Sequence, residues 1–392
     1  MIIDLRHDLP AFRQAIRAWL ADTVPANWTD RIASEDEDDY VAFQQWWMAE
    51  RNKEGLAVPH WPSEYGGADL SLTGQIILAD EIARARAPGL NLFIISLNHI
   101  PGTLIPFGTE AQKAKYLPAI PRGAVWCQGF SEPGAGSDLA SLRCRAERDG
   151  DHYVVNGQKI WSSLSRFAQH CILLVRTDFD AAKHAGISYL LMDMNMPGLE
   201  VRPIRQINGH SEFAELFLTD VRIPVENLVG VENEGWKVTQ ATLSSERGVL
   251  WFDWAERRRV DVETFYQESL GRGAAWLDDD ELRREFMILL AEMQAGRRQI
   301  RQLLRENESD HHAPTMTAAF VKLHDTVLRQ RIGDLMLRID GLDGQRHVLV
   351  GEGGRPNGMF DFLSSYGATI SGGTNEIMRN IIAERGLGLP KG

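Results

Sequence analysis

Three textures of hydrophobic spacing succeed one another along the chain. Up to about residue 122, apolar residues recur three and four apart in AFRQAIRAWL, VAFQQWWMAE and GQIILADEIARA, the period of an amphipathic helix. Loops rich in glycine and proline, such as VPHWPSEYGGADLS, separate these stretches. From about 123 to 227 the period drops toward two, and HCILLVR, SYLLMDM, FAELFLTDV and RIPVENLV each predict a short strand. HYVVNGQKIW reads as a hairpin turning at Asn156-Gly157, because that pair accepts the backbone a tight turn requires. From about 228 the helical period returns in GWKVTQATLSSERGVLWFDWAERR, ELRREFMILLAEMQAGRRQIRQLL and TAAFVKLHDTVLRQRIGDLMLRI, segments long enough to stack as a bundle. A last helix is predicted from Asn375, with Ile377, Met378, Ile381 and Ile382 as its apolar stripe and Gly386 as its stop.

The fold class expected is therefore α+β in three parts: an N-terminal all-α domain at 1–122, a middle β-domain at 123–227 and a C-terminal four-helix-bundle domain at 228–392. No strand runs through GxGxxG into a helix, which argues against a Rossmann dinucleotide fold.

Charge and cysteine usage narrow the function. A formal net charge of −12 with no long basic run disfavours sequence-independent nucleic-acid binding, which depends on clustered Lys and Arg. The run Arg257-Arg258-Arg259 reads as a solvated helix face. Cys127, Cys144 and Cys171 are too few and too scattered for a disulfide framework or a zinc site, so no metal is expected and a reducing interior suits them. MIIDLRHDLPAF has no signal-peptide pattern, and no apolar run approaches the ~20 residues of a membrane span. The expectation is a cytoplasmic protein without a membrane span.

Candidate chemistry lies in three places. In GFSEPGAGSDLASL, Gly134, Ala135, Gly136 and Ser137 let the backbone approach a ligand, and Ser131 and Ser137 offer hydroxyls; an ordinary surface turn would read the same way. In KIWSSLS, Trp161 is either core packing or a flat wall against a planar cofactor. Before the last helix, Ser371, Gly372, Gly373 and Thr374 form a glycine turn suited to a phosphate or an oxyanion. That turn carries no acid or base of its own.

In their order and spacing, GLAVPHWPSEYGGADLS, FGTEAQKAKYLPAI, GFSEPGAGSDLASL, VNGQKIWSS, TDVRIPVENLVG, EGWKVTQATLSSERG and SGGTNEIMRNIIAERGLGLP make nearly the whole chain resemble an acyl-CoA dehydrogenase. The resemblance implies tightly bound FAD, an acyl-CoA substrate, an electron-transfer flavoprotein as electron acceptor and a three-domain α/β/α fold. It also implies residue roles. Gln128, Phe130 and Ser131 would line the flavin, with Ser131 and Ser163 bonding its polar edges and Trp161 packing on the ring. Thr374 and Glu376 would meet the pyrophosphate, Ser137 the CoA portion, and Ser244, Arg247, Gly372 and Gly373 the rest of the substrate.

In many relatives the residue at position 372 is the catalytic glutamate, and its main-chain N–H faces the thioester oxygen. Gly372 keeps the N–H and lacks the carboxylate. A branch resembling isovaleryl-CoA dehydrogenase takes its base from the helix after the β-domain, and there LSSERGVL places Glu246. Leu243, Val249 and Leu250 border Glu246 at helical spacing, so partial burial and a raised pKa are expected of it. Two carboxylates aimed at one Cα would repel, so Gly372 and Glu246 are mutually consistent.

Two segments depart from the family pattern. Arg272 matches the arginine of an Arg-x-x-Phe-Gly motif, but GRGAAWLDD lacks the Phe-Gly. RIDGLDG keeps only Gly341 and Gly344 of a Gln-x-x-Gly-Gly-x-Gly loop. Both touch the adenosine end of FAD at a subunit contact. The chain is thus expected as a homo-oligomer, dimer or tetramer, or as half of an α2β2 heterotetramer with a sister subunit, the arrangement of relatives acting on bulky steroid side-chain thioesters. A weakly catalytic partner subunit and an oxygen-using flavoenzyme on the same fold are the competing readings.

Overall fold

The computed structural model describes every residue except 33–36, 246–248, 310–314, 346–357 and 391–392. Helices α1 (Leu9–Thr23), α2 (Trp28–Ile32), α3 (Glu37–Lys53), α4 (Leu72–Arg84), α5 (Ile94–Phe107) and α6 (Glu110–Tyr116) come first. Strands β1 (Trp126–Gly129), β2 (Arg145–Asp149), β3 (His152–Ser163), β4 (His170–Arg176), β5 (Ile187–Asp193), β6 (Leu199–Ile204) and β7 (Phe213–Pro224) follow. Then come α7 (Gly235–Ser245), α8 (Val249–Arg272), α9 (Asp280–Ser309), α10 (Thr315–Gly344), α11 (Gly358–Ile370) and α12 (Asn375–Ile381). The order is helical, then β, then helical, as the periodicity predicts.

The chain packs as two compact units. One comprises Val41–Asp69 and Leu90–Glu246. Its sheet runs β1-β4-β2-β3-β7-β6, with β5 also paired to β4. Strand β4 is apolar at successive positions because both of its faces are covered. Ile172 and Leu174 pack with Trp126, Tyr189 and the helical residues Ile100, Leu104 and Val238. Leu173 and Val175 point the other way, among Cys127, Tyr153, Leu190 and Leu216. All three cysteines are buried free thiols, Cys127 on β1, Cys171 on β4 and Cys144 just before β2.

The other unit comprises Met1–Tyr40, Leu70–Gly89 and Arg247–Gly392. Helix α1 starts where Asp8 caps the Ala11 N–H at 3.1 Å and buries Phe12, Ile16 and Leu20 along one stripe. Helices α8, α9 and α10 bury Val262, Phe286, Leu289, Met293, Leu328 and Leu335 around Trp276. A charged seam runs beside this core: buried Glu81 takes Arg13 and Arg17, and buried Glu256 takes Arg259 and Arg297.

The structure corrects three expectations. Asn156-Gly157 does not turn a hairpin; it sits within the continuous strand β3, at a register shift against β7. The reason is cross-strand: the Asn156 side chain donates to Asp220 at 3.0 Å and accepts the Asp220 N–H at 2.9 Å, and a Cβ on Gly157 would lie 2.8 Å from Cys144 Cα. The hairpin turns instead at Gly150, between β2 and β3. RIPVENLV is the end of β7 followed by a 3-10 turn at Val225–Asn227. Finally, the three arginines are not a solvated face: Arg257 pairs with Asp253, Arg258 with Asp325, and Arg259 is buried between Glu256 and Glu263.

Candidate active site

The loop that leaves β1 is tied down by a buried ion pair. Glu132 accepts the Arg143 and Cys144 N–H groups at 2.7 and 2.8 Å, which joins the loop to the approach of β2. Lys159 Nζ reaches from β3 to Glu132 Oε1 at 2.8 Å and to the Phe130 carbonyl at 3.1 Å. The Lys159 side chain is 0% exposed. Between these two acceptors lies Ser131, whose own carbonyl takes the Ile160 N–H at 2.9 Å. Ser131 is therefore held on both shoulders, with Phe130 buried and Gln128 half-buried beside it. Further along, Ser137 is exposed, and a Cβ built on Gly134 or Gly136 would meet nothing within 4 Å. The crest of the loop stands open.

Lys159 and Glu132 build this loop, and neither belongs to the candidate residues named from the sequence. A signal was present. Tyr153, Val155 and Lys159 fall on the inward positions of one strand, and a lysine in that register requires an anion.

Strand β3 ends in a bulge between Lys159 and Ser162. Trp161 is the inserted residue; its φ of 62° puts a bulky side chain in the left-handed region, and its indole is 56% exposed. An edge contact with Phe213, 6.0 Å between centroids, supports the ring. Ser162 points inward, and its buried Oγ has no partner among the described residues. Ser163 is half-buried, and Leu164 follows at φ 57°. Paired left-handed positions at non-glycine residues are strain that a structural strand has no use for. They turn an aromatic face outward beside fixed hydroxyl-bearing segments, which fits a flat ring with polar edges such as the isoalloxazine of FAD.

In the other unit, Gly372 and Gly373 lead into α12 at φ 63° and 90°. Thr374 caps that helix, its hydroxyl accepting the Ile377 N–H at 3.3 Å. Glu376 is exposed in the first turn; its own main-chain N–H and the Thr374 hydroxyl hold its carboxyl below the ordinary range. Beneath, buried Lys322 donates to Asn375 Oδ1 at 2.9 Å and to the Thr369 carbonyl at 3.2 Å. Arg272 ends α8 exposed. Gly341 breaks α10 at φ 59°, next to Asp340, whose carboxyl burial pushes up while Arg272 opposes that shift.

The structure thus groups Gln128, Phe130, Ser131, Trp161 and Ser163 at one place and Gly372, Gly373, Thr374 and Glu376 at another. Ser244 lies on α7, but its side chain is outside the described residues, as are Glu246 and Arg247 altogether. Among the described residues, no helix is long and apolar enough to cross a membrane.

Residues 7–124, 127–221 and 233–387 match, in that order, the acyl-CoA dehydrogenase N-terminal, middle and C-terminal domains. Acyl-CoA dehydrogenase IpdE1 of Mycobacterium tuberculosis is 37% identical over 394 residues, covering 98% of each chain. The structure of the Tcur3481-Tcur3483 steroid ACAD superposes with a TM-score of 0.86 at 29% identity, over 98% of each chain. The ChsE4-ChsE5 complex from Mycobacterium tuberculosis gives a TM-score of 0.75 at 30% identity, over 99% of this chain and 98% of the other. With those likenesses covering all but its ends, the chain belongs to the acyl-CoA dehydrogenase family, FAD-dependent oxidoreductases of helical, β and helical domains that act on acyl-CoA.

Proposed function

We propose that this chain carries out FAD-dependent α,β-dehydrogenation of an acyl-CoA thioester with a bulky or branched acyl group, and that an electron-transfer flavoprotein takes the electrons. The observation that carries the reading is the loop before α12. It presents a main-chain N–H at Gly372 with no carboxylate at that residue, and the nearby acid, Glu376, is held by donors that make it a poorer base. The proton must go to another group, and Glu246 is the residue assigned to it.

When bound, FAD supplies the acceptor at N5 for the hydride that leaves Cβ. Ser131 and Ser163 hydrogen-bond the polar edges of that ring, Trp161 packs on its face, and Gln128 and Phe130 line it. Thr374 and Glu376 serve the pyrophosphate region at the start of α12, while Arg272 and Gly341 serve the adenosine end. Ser137 meets the CoA portion, and Ser244, Arg247 and Gly373 complete the substrate contacts. Glu246 removes the Cα proton. The Gly372 N–H donates a hydrogen bond to the charge that develops on the thioester oxygen, a donor type whose loss costs on the order of 10²–10³ in rate.

A bulky substrate is supported by the steroid ACAD relative and by the glycine that clears space at position 372. Both structural relatives carry the names of two different chains, which favours an α2β2 assembly with a sister subunit over a homodimer or homotetramer. Native mass spectrometry showing a stable, fully flavinated homotetramer would overturn an obligatory sister. Domain limits at 1–122, 123–227 and 228–392 and a cytoplasmic setting complete the reading, to be checked by limited proteolysis and by cell fractionation.

The decisive experiment is anaerobic mixing of Glu246→Gln holoenzyme with a panel of acyl-CoA thioesters. Flavin bleaching should slow by roughly 10²–10⁴ relative to wild type while acyl-CoA binding is retained. Near-normal bleaching rejects Glu246 as the base.

A further inference from the structure

The segment between α11 and α12 has little that could hold it in one shape. Ser371, Gly372 and Gly373 are all exposed. Two successive glycines at positive φ contribute no side chain to packing and occupy the most permissive part of backbone space. No carbonyl among the described residues accepts the Gly372 N–H. Yet an oxyanion donor works only if it is fixed before the charge appears.

We propose that Lys322 is a positioning residue for this loop, a clamp that fixes the Gly372 amide by tying both ends of the loop to α10. The inference rests on the reading of Gly372 as the thioester-oxygen donor. One ammonium bonds the Thr369 carbonyl just before the loop, at 3.2 Å, and Asn375 Oδ1 just after it, at 2.9 Å. Thr326, one helical turn along α10, adds its hydroxyl to the same Asn375 oxygen at 3.0 Å. Asn375 is buried, and Lys322 is 3% exposed, so these bonds are shielded from water that could replace them.

Two features separate this from ordinary packing. First, an ammonium offers three donors on one point, which is what joining two separated acceptors requires. An aliphatic side chain of the same length would fill the space and avoid dehydrating a charge. Second, no carboxylate pairs directly with Lys322 among the described residues; Glu376 on α12 supplies only a supporting field. Burial accordingly brings the Lys322 pKa down to about 8. The group is retained despite an unfavourable setting, and what it holds in return is the loop.

The test compares Lys322→Met holoenzyme with wild type by amide hydrogen exchange and by anaerobic flavin reduction. Exchange at the hydrogen-bonded amides flanking the turn, Ser371, Ile377 and Met378, should accelerate about tenfold or more, with α10 and α11 elsewhere unchanged. Flavin bleaching by acyl-CoA should fall roughly 10–100-fold, as expected of a donor displaced by a fraction of its bond length. FAD content and acyl-CoA affinity should stay within about twofold, because a positioning role splits kcat from KM where a general packing role lowers both. Unchanged exchange at those three amides overturns the clamp itself. Faster exchange with undiminished bleaching overturns it through the reading of Gly372, so the two failures are told apart. Should Lys322→Met not fold, Thr326→Val decides: faster exchange at those three amides supports the clamp and unchanged exchange overturns it.

Discussion

The loop after β1 and the loop before α12 are held by opposite means. In the first, a buried carboxylate and a buried ammonium meet, and each also bonds the main chain: Glu132 takes two N–H groups, and Lys159 gives to a carbonyl. In the second, a lone buried amine bonds a carbonyl and an amide oxygen, and the loop above it is glycine. The first loop is part of the sheet's core and cannot move without breaking it. The second hangs on two side chains of α10, Lys322 and Thr326, so it can be loosened while the bundle beneath stays folded. The comparison teaches that each motif is fixed by a residue from a different element, Lys159 from β3 and Lys322 from α10.

The largest effect separating the two should come from Lys159→Met. It leaves the Glu132 carboxylate buried without its cation, a change that costs about 3–5 kcal/mol when a buried pair is broken from one side. The unfolding midpoint should drop accordingly, and Lys159→Met/Glu132→Gln should regain part of the loss. A drop no larger than that of Lys322→Met would erase the distinction between a loop built into a core and a loop hung from a clamp.

A smaller effect of mixed sign is expected at Trp161. Trp161→Gly relieves a left-handed conformation worth about 1–2 kcal/mol in a non-glycine residue, and gives back about half of that as backbone entropy. Stability should therefore hold or rise slightly. FAD affinity should fall about 2–10-fold, the worth of an aromatic stacking contact. Loss of stability with unchanged FAD binding would return Trp161 to the role of packing residue.

How much of this was legible beforehand follows from what each feature depends on. Strands β4 and β5 and helices α9 and α10 were read almost to their ends, because their signal is periodic and local. Helix α5 was missed: Pro101 and Pro106 lie inside it, and its apolar residues cover most of its circumference, so neither period nor breakers marked it. Asn156-Gly157 was misread because the strongest local turn signal was put to use in a cross-strand bulge, a choice made by Asp220 more than sixty residues away. The serines, the tryptophan and the glycine turn were legible as motif residues. Of the lysines that hold them, Lys159 left a trace in its inward register on the strand, whereas Lys322 looks like a surface lysine until its partner's position in space is known.

The smallest prediction concerns pH and applies to the clamp alone. In the folded chain the Lys322 pKa stands at about 8, below its ordinary value of 10.5, because burial disfavours the charged form more than Glu376 supports it. Below pH 8 the amine is charged in both folded and unfolded chains, and the penalty of burying that charge is constant. Between pH 8 and 10.5 the unfolded chain binds the extra proton, so stability rises with pH through that window. Other groups titrate in the same range, and subtracting the Lys322→Met profile removes them. The difference in unfolding midpoint, wild type minus Lys322→Met, should climb steadily from pH 8 upward and be flat below it. A flat difference throughout would mean that the ammonium is solvated rather than enclosed beneath the loop, and would leave the glycine turn without the support that sets it apart from the loop after β1.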